Sequence, residues 1–214
     1  MMKTLLSTCL LLGLLSPATS LTCTHCHENS TSCEAPGSHG CRDDQTCSSG
    51  ALHNNIVPDY EVSTFQGCIY SNLCHSGDFS FSAAQGKFLQ LKMVCCQTNE
   101  CNKEPVHLTP REDLSPNGRQ CPACFRKTDF SGKTGCPREG TVSCLANETK
   151  CINYSSRMLY RNKTANRLQF KGCATEDLCA LDGKNFEYGH LLVQGIKAKC
   201  WNATISSKQI DLEG

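Results

Sequence analysis

Eight cysteines in the first half of this chain recur in register in the second. Cys23 corresponds to Cys121, Cys26 to Cys124, Cys33 to Cys136, Cys41 to Cys144 and Cys47 to Cys151; Cys68 then corresponds to Cys173, Cys74 to Cys179 and Cys95 to Cys200. Local identity supports the register. Phe65 to Cys74 and Phe170 to Cys179 both read Phe-x-Gly-Cys, three residues, Asn or Asp, Leu, Cys. Each repeat is under 100 residues, in a chain that is only 7% aromatic. A core that small rarely contributes more than ~3–5 kcal/mol without staples, so the cysteines are read as structural.

Met1 to Ser20 supplies the compartment. Lys3 gives a positive start, Leu5 to Leu15 an apolar stretch, and Ala18-Thr19-Ser20 a small-residue cleavage site, the pattern of a secretory signal peptide over residues 1–20. Its removal takes Cys9 and leaves 18 of the 19 cysteines. An even count in an oxidising compartment implies a disulfide framework with no thiol left over, hence a secreted, extracellular product. Without Lys3 the formal charge of +1 falls to zero, which gives no electrostatic reason to bind nucleic acid or anionic membrane. The polar end Ser206 to Gly214 lacks the apolar tail of roughly 10–20 residues that a glycolipid anchor requires, so no membrane anchor is expected.

The repeats define a first domain over 21–102, a proline-containing linker over 103–120, a second domain over 121–202 and a polar tail over 203–214. Pro105, Pro110 and Pro116 hold the linker extended, and Asn117-Gly118 reads as a turn before Cys121. Within the repeats the signals favour strands. Tyr60 to Phe65 alternates, and Leu89, Leu91 and Met93 share one face while Gln90 and Lys92 share the other. Turn residues fall at His53 to Asp59 and at Ala83 to Gly86, so each long interval between cysteines reads as a hairpin. The adjacent pair Cys95-Cys96 fits this reading. Neighbours in a strand point to opposite faces, which places Cys96 to close a tight loop with Cys101 and leaves Cys95 to reach back to Cys74. Asn102 carries a short amide suited to bonding strand backbones where they converge.

The ten cysteines from Cys23 to Cys101, closing on Cys95-Cys96-Gln97-Thr98-Asn99-Glu100-Cys101-Asn102, resemble a three-finger domain of the lymphocyte-antigen-six and urokinase-receptor family. The resemblance occurs twice and spans essentially the whole mature chain. It implies an all-β, disulfide-rich fold of tandem three-finger, snake-toxin-like domains. It also implies the pairing Cys23–Cys47, Cys26–Cys33, Cys41–Cys68, Cys74–Cys95 and Cys96–Cys101, and in the second repeat Cys121–Cys151, Cys124–Cys136, Cys144–Cys173 and Cys179–Cys200. Trp201 stands where the ninth cysteine of the second repeat would fall, and no later residue serves as the tenth. The C-terminal edge of that repeat is therefore expected to be looser.

Other chemistries fit less well. Cys23-Thr-His-Cys26-His27 matches the spacing of haem attachment, but the second repeat has Phe125 where His27 stands. Cys121-Pro-Ala-Cys124 resembles a redox pair, yet its register with Cys23 and Cys26 assigns both cysteines to separate bridges. Zinc is disfavoured in a secreted chain with paired thiols, and no cofactor is implied. The histidines have no counterparts between repeats, so no catalytic residues are assigned. Flat hairpins and loop tips suit protein binding.

With this cysteine order and the segment Leu114 to Cys124, the chain resembles the gamma-type inhibitors of secretory phospholipase A2. That implies a non-enzymatic protein that sequesters a secreted lipase by protein–protein contact, with a possible homo-oligomer. The family's linker contributes to binding, which singles out Leu108, Pro110, Leu114 and Pro116, although Arg111, Glu112 and Asp113 make this linker more polar than the family's. Ile56, Val57 and Tyr60 flank one finger tip of the first repeat, and Phe79, Phe81 and Phe88 flank another. Alternation alone sends half of these toward the sheet interior. The alternative is a secreted three-finger signalling or adhesion ligand, receptor-binding or reproductive, with no lipase partner. Five sequons begin at Asn29, Asn147, Asn153, Asn162 and Asn202. Four lie in the second repeat, so the partner is expected on the first repeat's fingers and the linker.

Overall fold

The computed structural model describes residues 20–26, 33, 36–57, 61–128, 135–136, 140–160 and 165–206. All but the last residue of the signal peptide, the finger-tip Tyr60, the sequon residues Asn29 and Asn162, and the tail beyond Ser206 lie outside these described residues.

The chain is all-β and disulfide-rich, built from two three-finger repeats. In the first, β1 (Thr22–His25) pairs with β2 (Gly37–Gly40), while β3 (Gln45–Asn54), β4 (Val62–Tyr70), β5 (Gly77–Ala83) and β6 (Phe88–Cys96) form the fingers. The second contains β7 (Pro116–Thr128), β8 (Gly140–Leu145), β9 (Lys150–Tyr160), β10 (Asn166–Ala174), β11 (Phe186–Tyr188), β12 (Leu191–Asn202) and β13 (Thr204–Ile205). One helical turn, α1 (Glu176–Cys179), follows β10.

Nine disulfides tie the strand ends: Cys23–Cys47, Cys26–Cys33, Cys41–Cys68, Cys74–Cys95 and Cys96–Cys101, then Cys121–Cys151, Cys124–Cys136, Cys144–Cys173 and Cys179–Cys200. Cys23, Cys41 and Cys68 crowd their sulfurs within 4.8 Å, and Cys121, Cys144 and Cys173 do the same. All six sulfurs are oxidised, so neither cluster offers the thiolate a metal needs. Asn102 binds the first knot. Its Nδ2 donates to the Thr24 and Ser48 carbonyls, both at 2.8 Å, and its Oδ1 accepts from the Thr24 amide at 2.9 Å.

The repeats share one sheet of 11 strands. Strand β10 makes the join. Arg167 to Lys171 pair with β7, and Gly172 to Ala174 then pair with β5 of the first repeat, Gly172 opposite Ala83 and Ala174 opposite Phe81. The switch requires Gly172, because a Cβ there would overlap the Ser82 carbonyl oxygen. The Phe-x-Gly-Cys motif thus has a use in the second repeat that its sequence alone does not reveal. Asp177 of α1 extends the seam by accepting the Asp78 amide at 2.8 Å.

One apolar core crosses the seam. Phe81 stacks on Phe170 at 3.9 Å between centroids, Tyr154 stacks on Phe170 at 4.7 Å, and Phe79 meets Phe186 edge-on at 5.3 Å. Tyr188 lies over Gly50, where a Cβ would come within 2.9 Å of its ring, and its hydroxyl donates to the Ser63 carbonyl at 2.9 Å.

This packing corrects the expected binding surface. Ile56, Val57, Phe79 and Phe81 are all buried in the shared core, none more than 6% exposed. The second repeat covers the face that a lone three-finger unit would leave open. Burying each Phe contributes about 1.5–3 kcal/mol, and Lys127 of β7 donates to the Ile56 carbonyl at 2.8 Å. Phe88 is half-buried against His53 and Arg111.

Two further expectations are corrected. Asn117-Gly118 is not a free turn but a bulge inside β7, with Gly118 at φ 76° and the register against β8 shifted there. The C-terminal edge is not loose up to Ser206. Strand β12 continues through Trp201 and Asn202, and Thr204 and Ile205 pair with Gln120 and Arg119. Backbone pairing there replaces the short Cys96–Cys101 loop of the first repeat.

Gly172→Ala should lower the melting temperature by about 2–12 °C, the range for ~1–3 kcal/mol of overpacking in a chain this size. Calorimetry showing no change would mean that β5 and β10 do not meet at this residue.

Candidate functional site: a strap across the seam

Residues 103–115 cross the polar face of the first repeat's sheet, opposite the shared core. They form no strand, so their backbone groups need other partners. Gln66 Nε2 donates to the carbonyls of Asn102 at 2.6 Å and Lys103 at 3.1 Å. Ser49 Oγ donates to the Glu104 carbonyl at 3.3 Å, and Gln90 Nε2 to that of Thr109 at 3.4 Å. A 3-10 turn at Arg111–Asp113 follows, and the Ser115 carbonyl accepts the Ala146 amide at 3.0 Å. The prolines make this economical: Pro105 and Pro110 have no N–H to satisfy.

Pro110, Glu112, Asp113 and Pro116 face solvent, and Leu108 and Leu114 are half-buried. Among the described residues assigned from sequence to a partner, the four linker positions are therefore the apolar ones left at or near the surface, with half-buried Phe88. Clefts flank the strap. One of 380 Å³ lies along Pro105, Val106 and His107; the other, of 240 Å³, is lined by Leu108, Thr109 and Leu114 with Asp78, Gln90 and Asn147.

Beneath the strap, Glu148 is almost wholly buried, 1% exposed. It accepts from Ser80 Oγ at 2.8 Å, from Ser82 Oγ at 2.7 Å and from the Leu145 amide at 3.2 Å. Ser82 Oγ in turn accepts from Arg111 Nη2 at 2.9 Å, and the Arg111 guanidinium lies 4.2 Å over the Phe88 ring. Second repeat, first repeat and strap meet in this one chain of hydrogen bonds. Burial pushes the Glu148 carboxyl above its ordinary value, opposed by Ser82, Ser80, the Leu145 amide and Arg111. Burial likewise lowers the Arg111 guanidinium, with Glu148 opposing.

Sequence reasoning did not find this network. Glu148 appears there only as the middle residue of a sequon. The available signal was the alternation Phe79-Ser80-Phe81-Ser82, whose hydroxyls had to face something polar if the rings faced a core. Three sequon asparagines lie among the described residues, and Asn147, Asn153 and Asn202 are all exposed.

The fold and the strap define a class: a disulfide-rich, tandem three-finger protein with a polar strap between its repeats. No family model matches the chain. A gamma-subunit phospholipase A2 inhibitor of Elaphe climacophora is 28% identical over 208 residues, covering 97% of this chain and 100% of that protein. Phospholipase A2 inhibitor NAI of Notechis ater is 32% identical over 124 residues, 56% of this chain and 57% of its own. The crystal structure of mouse TEX101 overlaps at a TM-score of 0.31 and 16% identity, covering 78% of this chain and 87% of that one, too loosely to bear on how the repeats are arranged. The chain resembles the gamma-type phospholipase A2 inhibitors from end to end, and these relatives are named as inhibitors rather than enzymes.

The raised carboxyl sets a pH dependence. The native state holds the Glu148 proton more tightly than the unfolded chain does, so this stabilisation is full below the unfolded value and is lost as pH rises through the native one. From about pH 4 upward, the wild-type denaturation midpoint should fall relative to that of Glu148→Gln. Parallel profiles would show that the three donors and Arg111 balance burial, and the opposite slope that they outweigh it.

Proposed function

We propose that this chain is a secreted, non-catalytic protein that binds and inhibits a secretory phospholipase A2. The observation that carries the reading is the end-to-end match to a gamma-type inhibitor, covering all of that relative's length. The fold is compatible with it. Nine disulfides and a shared core give a rigid surface that loses little freedom on docking, and the cross-linked framework suits an oxidising, extracellular setting. Among the described residues no helix is long and apolar enough to cross a membrane.

The outer side of the strap is the docking face in this reading. Pro110 and Pro116 are exposed and conformationally fixed, Leu108 and Leu114 offer half-buried apolar edges, and Glu112 and Asp113 present negative charge. A basic patch on the lipase would complement that pair, and such charges act mainly on association rate and specificity.

The test is direct. Purified chain is added to a panel of secretory phospholipases A2 acting on micellar and on monomeric substrate, with complex formation followed by gel filtration. Inhibition of both activities with a stable complex is expected. Glu112→Lys combined with Asp113→Lys should weaken that complex about tenfold, ~1.4 kcal/mol, at an unchanged melting temperature. Absence of a complex with every member of the panel would overturn the assignment.

A further inference from the structure

The neutral total left once Lys3 is removed conceals two opposed halves. Residues 21–102 hold three lysines and arginines against eight acids, and residues 121–202 hold 13 against seven. The excess in the second repeat is concentrated. Strands β7, β9, β10 and β12 carry nine lysines and arginines and no aspartate or glutamate. The fold does not require this, since the corresponding strands of the first repeat, β1, β3, β4 and β6, carry one, Lys92. Ion pairing within the repeat cannot remove the excess either, because each pair uses one charge of either sign.

Alternation gathers six of the nine on one side of the sheet. Tyr154, Met158, Leu168, Phe170 and Ala198 lie in the shared core, so their strand neighbours face outward, in three cross-strand rows. Lys171, Asn153 and Lys199 form the first; Arg126, Gln169, Ser155 and Lys197 the second; Thr128, Arg167, Arg157 and Gln194 the third. Neighbours within a row lie about 5 Å apart and the rows about 7 Å apart. Arg157 and Arg167 stand directly opposite each other, and like charges so placed destabilise a sheet. Gly135, in the loop closed by Cys124–Cys136, donates to Gln169 Oε1 at 3.0 Å and comes down on the β7 side of this face. The β9 and β12 side is open: Arg157, Lys197 and Lys199 are exposed, while Arg126, Arg167 and Lys171 are half-buried.

We propose that this face binds a linear sulfated polysaccharide, an extracellular glycosaminoglycan, whose sulfates seat on Arg126, Arg157, Arg167 and Lys197. Cations set in rows on a flat sheet do not converge on one small anion. They match a polymer that brings a charge to each row, and their binding releases the polymer's condensed counterions. The planar arginine fork suits the sulfate oxygens, and Ser155 and Gln194 stand between the cations as neutral partners for sugar hydroxyls. A lipid surface would need buried apolar area as well as charge; among the described residues the only large exposed apolar side chain on these four strands is Trp201, at one end of the face. Asn153 opens a sequon in the first row. A glycan there would stand on that row, so the proposal rests on the other two. None of these residues belongs to the strap, and the acidic excess of the first repeat repels the same polymer, so the proposal stands independently of the inhibitor reading.

The full-length chain, secreted from a mammalian host with its own glycans, is applied to immobilised heparin, to heparin stripped of its sulfates and to vesicles containing phosphatidylserine. Elution from heparin is expected only above ~0.15 M salt, the physiological ionic strength, with affinity falling steeply as salt rises. The desulfated polymer and the vesicles should not retain the protein. Arg157→Glu combined with Lys197→Glu should weaken heparin binding at least about tenfold at an unchanged melting temperature. Lys92→Glu, an equal kind of change on the first repeat, should leave binding as it was. If the double variant is not secreted, Arg157→Gln with Lys197→Gln replaces it, with a loss of at least about threefold expected. Elution below ~0.15 M salt, equal retention by the desulfated polymer, undiminished binding by the double variant or an equal loss in Lys92→Glu would each overturn the proposal. Vesicle binding as tight as heparin binding would overturn it in favour of a lipid surface.

Discussion

The pairing of β10 with β5 is the contact on which the rest of the molecule depends. It converts two small repeats into one sheet and places Phe81 against Phe170, so that aromatic area otherwise left at the surface of each repeat becomes core. A three-finger unit of this size has too little apolar surface to stabilise itself well without cross-links. Here the disulfides tie the strand ends within each repeat, and the seam supplies the burial that the fingers lack. Gly172 is the residue at which both requirements meet, since β10 changes partner there and no side chain fits.

The polar network under the strap fixes the register of that seam. Ser80 and Ser82 bond Glu148 only because Phe79 and Phe81 point the other way. A slip of one residue would turn the hydroxyls toward the core and the rings toward a buried carboxylate. The carboxylate would then lack its donors, at a cost well above that of one lost hydrogen bond. Glu148 therefore acts against wrong pairings more than it adds to stability, since burying such a group already carries a desolvation penalty. The strap is fastened to the same network through Arg111 and Ser82, which gives it a defined path without any strand of its own.

Much of each repeat could be read from local pattern. The alternation of Leu89, Leu91 and Met93 against Gln90 and Lys92 places β6 correctly as a two-faced strand, and the turn residues at Ala83 to Gly86 mark the end of the β5–β6 finger, where Gln85 takes φ 61°. These features depend on neighbours a few residues apart. The seam does not. Nothing near Phe79 or Phe81 announces that Phe170 and Phe186, about a hundred residues on, will cover them, so a reading repeat by repeat offers them to a partner. Glu148 is opaque for the same reason: its donors come from the other repeat. Duplication itself misleads here. Equivalent cysteines suggest equivalent surroundings, yet Gly172 faces a neighbouring strand while Gly67 faces the Phe65 ring and His25 of its own repeat.

The asymmetry between the repeats bears on where a partner can bind. The first repeat presents one sheet face to the second repeat and the other to the strap, so neither of its faces is open across its middle. Among the described residues, the large exposed apolar side chains that remain, Val62, Tyr70, Val94, Trp201 and Ile205, are spread over β4, β6, β12 and β13. Single exposed side chains of this kind are ordinary on a folded surface. Trp201 and Ile205 follow from the loss of the last bridge, since the edge that a cysteine loop would close is closed instead by extended pairing with β7. The outer strap differs in kind. It combines fixed prolines, half-buried leucines and an acidic pair on one short segment, and its backbone is held by side chains of the sheet rather than by a ladder. A segment held in this way presents those groups along a fixed path although it belongs to no sheet.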